Sequence, residues 1–145
     1  MRESQIIMRY PVNLTPAPEG GFVVSFPDIP EALTQGDTRQ ESLAAAFDAL
    51  MTALEFYFED NESIPLPSVR CDANAYVDVP LSVTSKILLL NAFLESRITQ
   101  QELATRIGKP KQEITRLFDL RHSTKIDTVQ AAAKALGKEL KLTLV

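Results

Sequence analysis

Residues 98–118, ITQQELATRIGKPKQEITRLF, decide the fold of the C-terminal half of this 145-residue chain. Thr99 is followed three residues later by Glu102, which is the capping-box arrangement that starts a helix sharply. Gly108 can adopt the left-handed conformation of a tight turn, and Pro110 is tolerated in the first turn of the next helix. The segment therefore predicts two short helices joined by a glycine turn, a helix-turn-helix.

The outward side of the second predicted helix carries side chains that suit DNA. Apolar residues at helical spacing occupy the inner faces, and the N-terminal part of such a helix is the part that enters the major groove. Arg and Lys read guanine, Gln reads adenine, and Thr contacts thymine. The predicted base contacts are Lys111, Gln112, Thr115 and Arg116. The other predicted DNA-binding residues, most of them suited to phosphate, are Gln100, Gln101, Lys109, Arg121 and Lys125. A structural helical hairpin with a solvated basic face is the alternative interpretation.

The rest of the C-terminal half is also helical in pattern. Hydrophobic periodicity predicts helices over residues 82–96, 99–107, 110–120 and 127–136. The last residues, 138–145 (KELKLTLV), alternate as a short strand does. A lone strand in a helical domain needs a partner, so we expect it to pair with a second copy in a homodimer.

The N-terminal half has the pattern of a small mixed domain. Residues 6–14 and 21–26 predict a β-hairpin, residues 32–35 a third strand, residues 38–58 a long helix and residues 76–80 a last strand. This order predicts a small antiparallel sheet covered by one helix. The expected fold class is α+β, with one domain over residues 1–80 and a helical domain over residues 81–145.

The long helix presents two opposite faces. Its apolar stripe, which we expect to face the sheet, comprises Leu43, Phe47, Leu50, Leu54 and Phe58. Four carboxylates lie on the opposite face: Glu41, Asp48, Glu55 and Glu59. Two interpretations stay open, an ordinary solvated surface and a docking surface for a basic partner.

The net charge of −4 hides two opposed halves. Residues 1–80 hold four basic and thirteen acidic residues, a net charge of −9, and residues 81–145 hold eleven and six, a net charge of +5. This asymmetry favours two modules with partners of opposite sign, the basic one suited to nucleic acid. Chance segregation of charge on solvated surfaces is the alternative.

The cysteine count, the longest apolar run and the absence of several sequence motifs exclude further classes of protein. A single cysteine, Cys71, allows no internal disulfide, which is typical of the reducing cytoplasm. The apolar run 87–90 is far too short for a membrane span. No zinc spacing, phosphate loop or nucleotide fingerprint occurs, so we expect neither a cofactor nor a metal site. His122 and Cys71 have no catalytic companions, and we expect a surface or phosphate-contacting histidine, an inert thiol and no enzyme.

The helical half resembles the Cro/repressor-type (XRE-like) helix-turn-helix family. The matching residues are TQQELA at 99–104, Gly108, Ile114 and AKALG at 133–137. The resemblance implies base contacts at Lys111, Gln112 and Arg116 and a phosphate contact at Gln100. Lys109 and Pro110 depart from the family pattern, which has a small polar cap before the recognition helix.

The chain from residue 9 onward resembles the HicB antitoxin family. The matching stretches are YPVNL at 10–14, GGFVVSFPDIPEA at 20–32 and TQGDT at 34–38, followed by the long helix. The resemblance implies a partial RNase H-like N-terminal domain that binds a small basic HicA toxin, an mRNA-cleaving ribonuclease. It further implies repression of the shared operon through operator DNA.

Two other functions stay open. A stand-alone regulator that senses a small molecule through its N-terminal domain would need a ligand pocket and no protein partner. A residual RNase H-like nuclease would need several carboxylates that converge on a divalent metal ion, whereas those of the long helix form a line.

Overall fold

A computed structural model describes residues 8–70 and 72–144, so the expectations for residues 1–7 and for Cys71 lie outside the described residues. The elements are β1 (Arg9–Pro16), β2 (Phe22–Ser25), β3 (Leu33–Gly36), α1 (Arg39–Glu59), β4 (Ala75–Asp78), α2 (Leu81–Ser96), α3 (Gln100–Ile107), α4 (Lys111–Leu117) and α5 (Ile126–Ala135). The predicted α+β class and the predicted order of these elements are confirmed.

The four strands form one antiparallel sheet in the order β3-β2-β1-β4. Its buried face follows the alternation of β1, where Tyr10, Val12 and Leu14 are at most 2% exposed. Leu14 pairs with Val24 of β2 and Tyr10 pairs with Val77 of β4, so the neighbouring strands add apolar residues to the same face.

The buried face of α1 keeps most of the predicted apolar stripe and adds smaller residues. Leu50, Leu54 and Phe58 of the stripe are at most 4% exposed, whereas Phe47 of the stripe is 37% exposed. Ser42 and Ala46, which are not part of the stripe, are fully buried. A Cβ atom on Gly36 would lie 2.6 Å from the backbone N and Cα atoms of Ser42, so helix and sheet approach closely at the end of β3. This approach places the side of α1 that carries Ser42 and Ala46 against the sheet, where only a small side chain fits at position 42, and Phe47 lies outside that side.

The start of α1 is the one that the sequence predicted. The Thr38 hydroxyl accepts a hydrogen bond from the backbone N–H of Glu41 at 3.1 Å. The Ser42 hydroxyl donates to the carbonyl oxygen of Thr38 at 2.6 Å. The first of these bonds satisfies a backbone N–H of the first turn, which has no partner within the helix itself. The second is additional, since the Thr38 carbonyl oxygen also accepts the backbone N–H of Ser42 at 2.9 Å.

The chain folds into two compact units. The first comprises the chain up to Leu54 together with Pro65–Val79, and the second comprises Glu55–Ile64 and the chain from Pro80 onward. The last residues of α1 therefore belong to the second unit. Within residues 8–70 and 72–144, no helix combines the length and the apolar character that crossing a membrane requires.

The second unit has a core drawn from all four of its own helices. Ile87 and Leu90 of α2, Leu103 of α3, Ile114 of α4 and Ala132 of α5 are fully buried. The rings of Phe93 and Phe118 pack with their centroids 4.8 Å apart. This core fixes α3 and α4 by their inner faces, as the sequence predicted.

One prediction for the second unit is wrong, and another, the terminal strand that pairs with a second copy, stays a prediction. The helix predicted over residues 110–120 ends at Leu117, because the N–H groups of Phe118 and Asp119 bond three residues back, to the carbonyl oxygens of Thr115 and Arg116, and the chain then turns. The carbonyl groups of Asp119 and His122 in that turn accept hydrogen bonds from a side chain of α2. The terminal strand predicted over residues 138–145 is not formed by residues 138–144 of the single chain. A strand requires a hydrogen-bonded neighbour, and no such pairing with these residues forms in the described part of one chain.

Candidate nucleic-acid interface

The turn between α3 and α4 has the geometry that the sequence predicted. The Thr99 hydroxyl accepts a hydrogen bond from the backbone N–H of Glu102 at 3.0 Å and caps α3. Gly108 ends α3 with a φ of 66°, the left-handed conformation that its lack of a side chain permits. The N–H of Lys109 then donates to the carbonyl oxygen of Ala104 at 3.0 Å, which closes the turn.

The helix α4 presents the predicted base contacts outward. Ile114 and Leu117 are fully buried and hold one side of the helix against the core. The predicted contacts lie on the exposed side: Lys111, Gln112, Thr115 and Arg116. The Arg116 guanidinium lies 3.4 Å from a carboxylate oxygen of Glu113, an exposed pair that leaves further N–H donors of the arginine for other partners.

The N-terminal end of α4 has no side-chain cap. Pro110 occupies the cap position with extended backbone angles and makes no side-chain hydrogen bond to the helix. Where the family pattern has a small polar cap, this chain has Lys109 and Pro110, and the helix consequently begins without a side-chain hydrogen bond. The helix must be held by its buried face and by its other end.

Two predicted DNA contacts on different helices lie together. The Thr115 hydroxyl lies 3.4 Å from the side-chain oxygen of Gln100, which links α4 to the first turn of α3. Gln100 is half-buried, while Gln101 and Lys109 are exposed. A predicted phosphate contact and a predicted base contact therefore share one edge of the helix pair.

Arg121 lies in more acidic surroundings than the other predicted contacts. Its guanidinium donates to Asp119 at 3.2 Å, and this bond raises the pKa of Arg121, with smaller contributions from the charges of Glu55 and Glu59. The same carboxylate side chains line a shallow cleft of about 150 Å³ beside Thr115. Lys125, in contrast, is the exposed residue that precedes α5.

Lys86 is the residue that sequence analysis missed. It lies in α2, is 4% exposed, and its ammonium group donates to the carbonyl oxygens of Arg116, Asp119 and His122 at 3.0, 2.8 and 2.6 Å. Burial lowers the pKa of Lys86, and the negative charge of Asp119 opposes this effect. The signal was a single lysine directly before the apolar run Ile87 to Leu90.

The acidic residues of α1 do not form the uniform exposed line that the sequence predicted. Glu41, Asp48 and Glu59 are exposed, whereas Glu55 is half-buried. Glu41 and Asp48 belong to the first unit, and Glu55 and Glu59 to the second, where both line the cleft beside Arg121. Within residues 8–70 and 72–144, no group of three or more His, Asp or Glu side chains converges to hold a metal ion.

Comparisons with known proteins match both halves of the chain. A family model described as the HicB_like antitoxin of bacterial toxin-antitoxin systems matches residues 9–88, and a helix-turn-helix model matches residues 90–142. Antitoxin HicB of Escherichia coli strain K12 is 72% identical over 138 residues, which cover 95% of this chain and all of that protein. Antitoxin HicB 1 of Photorhabdus laumondii is 67% identical, covering 94% of this chain and 87% of that protein.

More distant similarity extends over the same length. Antitoxin HicB of Pseudomonas fluorescens is 33% identical over 140 residues, which cover 96% of this chain and 95% of that protein. The similarity thus includes both the sheet-and-helix unit and the helix-turn-helix, and confirms the resemblance seen in the sequence.

Proposed function

Because this chain belongs to the HicB-like antitoxin family, we propose that it neutralises a small basic mRNA-cleaving toxin of the HicA type and represses its own operon. Residues 1–80 bind the toxin and residues 81–145 bind operator DNA, both in the cytoplasm. The observation that carries this proposal is full-length similarity to antitoxins combined with a helix-turn-helix whose exposed helix bears Lys111, Gln112 and Arg116.

The DNA-binding part is supported by the chemistry of α4. Its exposed side chains can donate to guanine and adenine edges, and the buried Ile114 and Leu117 keep those side chains outward. The half of the chain that carries α4 has a net charge of +5, which favours association with phosphate.

Replacement of Arg116 tests direct base recognition. We expect Arg116→Ala to weaken binding to the operator by about 1–3 kcal/mol and to relax sequence preference at the contacted position. Gel-shift titrations with the DNA upstream of the operon measure both effects. The control is Arg9→Ala, which removes one positive charge from an exposed ion pair of the N-terminal half. Unchanged affinity and preference in Arg116→Ala would reject the assigned role.

The toxin-binding part is supported by charge. The N-terminal half carries a net charge of −9, and a toxin that cleaves mRNA must present a basic surface to its substrate. An acidic antitoxin competes for that surface with the same sign of charge as RNA. The proposed contact residues are Glu41, Asp48, Glu55 and Glu59.

Charge reversal on α1 tests the toxin surface. We expect replacement of Glu41, Asp48 and Glu55 by lysine to slow association with the toxin by about tenfold or more at low salt, because electrostatic steering is lost. The control variant reverses Glu19, Glu62 and Glu95, which are exposed and lie off α1, for the same change in net charge. Stopped-flow association and rescue of growth are the measurements. Equal rates in the two variants would place the toxin elsewhere.

Co-expression with the product of the neighbouring reading frame distinguishes the remaining functions. An antitoxin is expected to co-purify with that product and to restore growth. DNA binding without any such partner would favour a ligand-sensing regulator. Metal-dependent cleavage of RNA by the chain alone would favour a residual nuclease.

A homodimer is part of the proposal. Leu142 and Leu144 of the C-terminal segment are 87% and 101% exposed, and the alternating pattern of residues 138–145 suits pairing with the same segment of a second copy. A dimer would also place two recognition helices on one operator, as helix-turn-helix proteins require for two half-sites.

A further inference from the structure

We propose that Lys86 is a positioning residue for DNA recognition, whose buried ammonium group clamps the C-terminal end of α4 and so fixes the direction of its exposed side chains. The inference rests on the proposed DNA-binding function, which it deepens. Lys86 itself is 4% exposed and acts only through the backbone of residues 116–122.

The helix α4 depends on anchoring from outside itself. It has seven residues, which is far below the length at which a helix is stable alone. Its N-terminal end has no side-chain cap, since Pro110 occupies that position. Two buried residues, Ile114 and Leu117, hold one side of the helix against the core, so its remaining anchor has to come from its C-terminal end.

The Lys86 ammonium group supplies the missing anchor. The carbonyl groups at the end of a helix lack partners within the helix and carry its negative dipole end. An ammonium group has three N–H donors. Here the three acceptors are Arg116 in the last turn of α4 and Asp119 and His122 in the following turn, so one side chain ties both segments to α2.

The clamp acts on the residue that we assign to base recognition. One of the three carbonyl groups that Lys86 binds belongs to Arg116 itself, whose side chain is exposed. Hydrogen bonds to base edges tolerate errors of only about 0.5 Å in donor position. Attraction to phosphate depends on charge and tolerates much larger shifts. Loss of the clamp should therefore reduce sequence specificity more than general affinity for DNA.

Lys86→Met tests this difference, because methionine keeps an unbranched apolar side chain and removes all three donors. The probes are a duplex that the native chain selects from a random-sequence library and poly(dI-dC) as non-specific DNA. We expect the variant to lose about tenfold or more in affinity for the selected duplex and less than about twofold for poly(dI-dC).

Two control variants distinguish the loss of positioning from the loss of one positive charge and from a general loss of stability. Lys134→Met removes an exposed lysine from α5 and is expected to leave the ratio of the two affinities unchanged. Val129→Ala destabilises the same unit at a residue that is 2% exposed, without removing a donor. At a temperature where all variants are folded by circular dichroism, Val129→Ala should keep the native ratio.

A native ratio in folded Lys86→Met, or an equal loss in Val129→Ala, would overturn the proposal. If Lys86→Met does not fold, Lys86→Gln replaces it, since its amide group keeps two N–H donors. Because all three donors of Lys86 are used and the shorter amide has only two, the clamp predicts a partial loss of the ratio in that variant. A native ratio there overturns the proposal, as does failure of both variants to fold. If the native chain selects no duplex from the library, that result contradicts the proposed DNA-binding function itself. It is distinguishable from failure of the clamp, which only the variants test.

Discussion

Asp119 shows how one side chain organises the turn after α4. Its carboxylate accepts a hydrogen bond from the backbone N–H of Arg121 at 2.9 Å and a second from the Arg121 guanidinium. The backbone bond is the largest cause that lowers the pKa of Asp119 below its ordinary value of 3.8, and the charges of Arg121 and Lys86 add to it. The ionised form is thus the one that the folded turn favours.

The acid dependence of stability follows from this pKa. Because the folded pKa lies below the unfolded one, Asp119 contributes stability that is present above the ordinary pKa and is lost as the pH falls through the folded pKa. We expect Asp119→Asn to lower the free energy of unfolding by less than about 1 kcal/mol at neutral pH, since the group is part-exposed. The difference between the two chains should vanish at low pH.

Urea denaturation of both chains between about pH 7 and pH 2.5 measures this difference. The asparagine side chain can still accept the backbone hydrogen bond, so the turn itself should persist. A difference that stays constant with pH would contradict the role of the charge. Asp72→Asn is the control. Asp72 lies in the other unit, where a hydrogen bond from Arg70 lowers its pKa, so its effect on stability should change with pH independently of Asp119.

At the scale of elements, the C-terminal end of α2 has a residue with an unfavourable backbone conformation. The helix α2 ends at Arg97, whose φ of 59° is the left-handed conformation, and its N–H donates to the carbonyl oxygen of Leu94. Glycine is the usual residue at such an end, because a Cβ atom costs about 1–2 kcal/mol there. The arginine therefore carries a cost that packing of the unit offsets.

Arg97→Gly is expected to raise the free energy of unfolding by about 0.5–1 kcal/mol, the gain at the left-handed position less the added freedom of the unfolded chain. Thermal and urea denaturation of the full chain measure the change. Arg97→Ala is the matched variant, since it removes the same side chain and keeps the Cβ atom. A glycine variant no more stable than the alanine variant would show that the backbone cost is absent.

Local signals at this scale predicted much of the fold and of the candidate site. The caps at Thr38 and Thr99 and the turn at Gly108 depend on a few neighbouring residues, and each has the predicted geometry. Long-range contacts decided what was missed. The exposure of Phe47 follows from the approach of Gly36 to α1, and neither periodicity nor capping contains that distance.

The end of α4 was missed for a similar reason. The turn that follows it is held by a lysine about thirty residues earlier in the chain, whose three hydrogen bonds go to backbone atoms. Backbone acceptors carry no sequence signal, so the pattern of residues 110–120 alone favoured a longer helix. The outward placement of Lys111, Gln112 and Arg116, in contrast, follows from the spacing of Ile114 and Leu117 and was predictable.

At the scale of the whole molecule, opposite charges are carried by the two halves of one chain. The acidic half suits a basic protein and the basic half suits DNA, so the association rates with both partners should fall as salt is added. The proposed dimer would add a third association, through the exposed Leu142 and Leu144 of the C-terminal segment. The first two proposed associations depend on charge and should weaken with salt, whereas the third depends on apolar contact and should not.

Dimerisation can be tested through that segment. We expect Leu142→Asp together with Leu144→Asp to convert a dimer into a monomer at micromolar concentration, because two buried charges would oppose pairing. Light scattering coupled to size exclusion measures the mass. Leu33→Asp with Val69→Asp is the control, since both residues are exposed and lie in the first unit. A native chain of monomer mass would exclude this mode of association.

The approach of Gly36 to Ser42 restricts which sequences can adopt this domain. A Cβ atom at position 36 would meet backbone atoms of Ser42, and no substitution at position 42 removes its own backbone. A compensating second mutation is therefore not available at that position. In any chain that joins the third strand to the long helix through two residues, as Asp37 and Thr38 do here, the last residue of that strand should be glycine. Six positions later the chain should have a small residue, and this pair is a signature that can be sought in unaligned sequences.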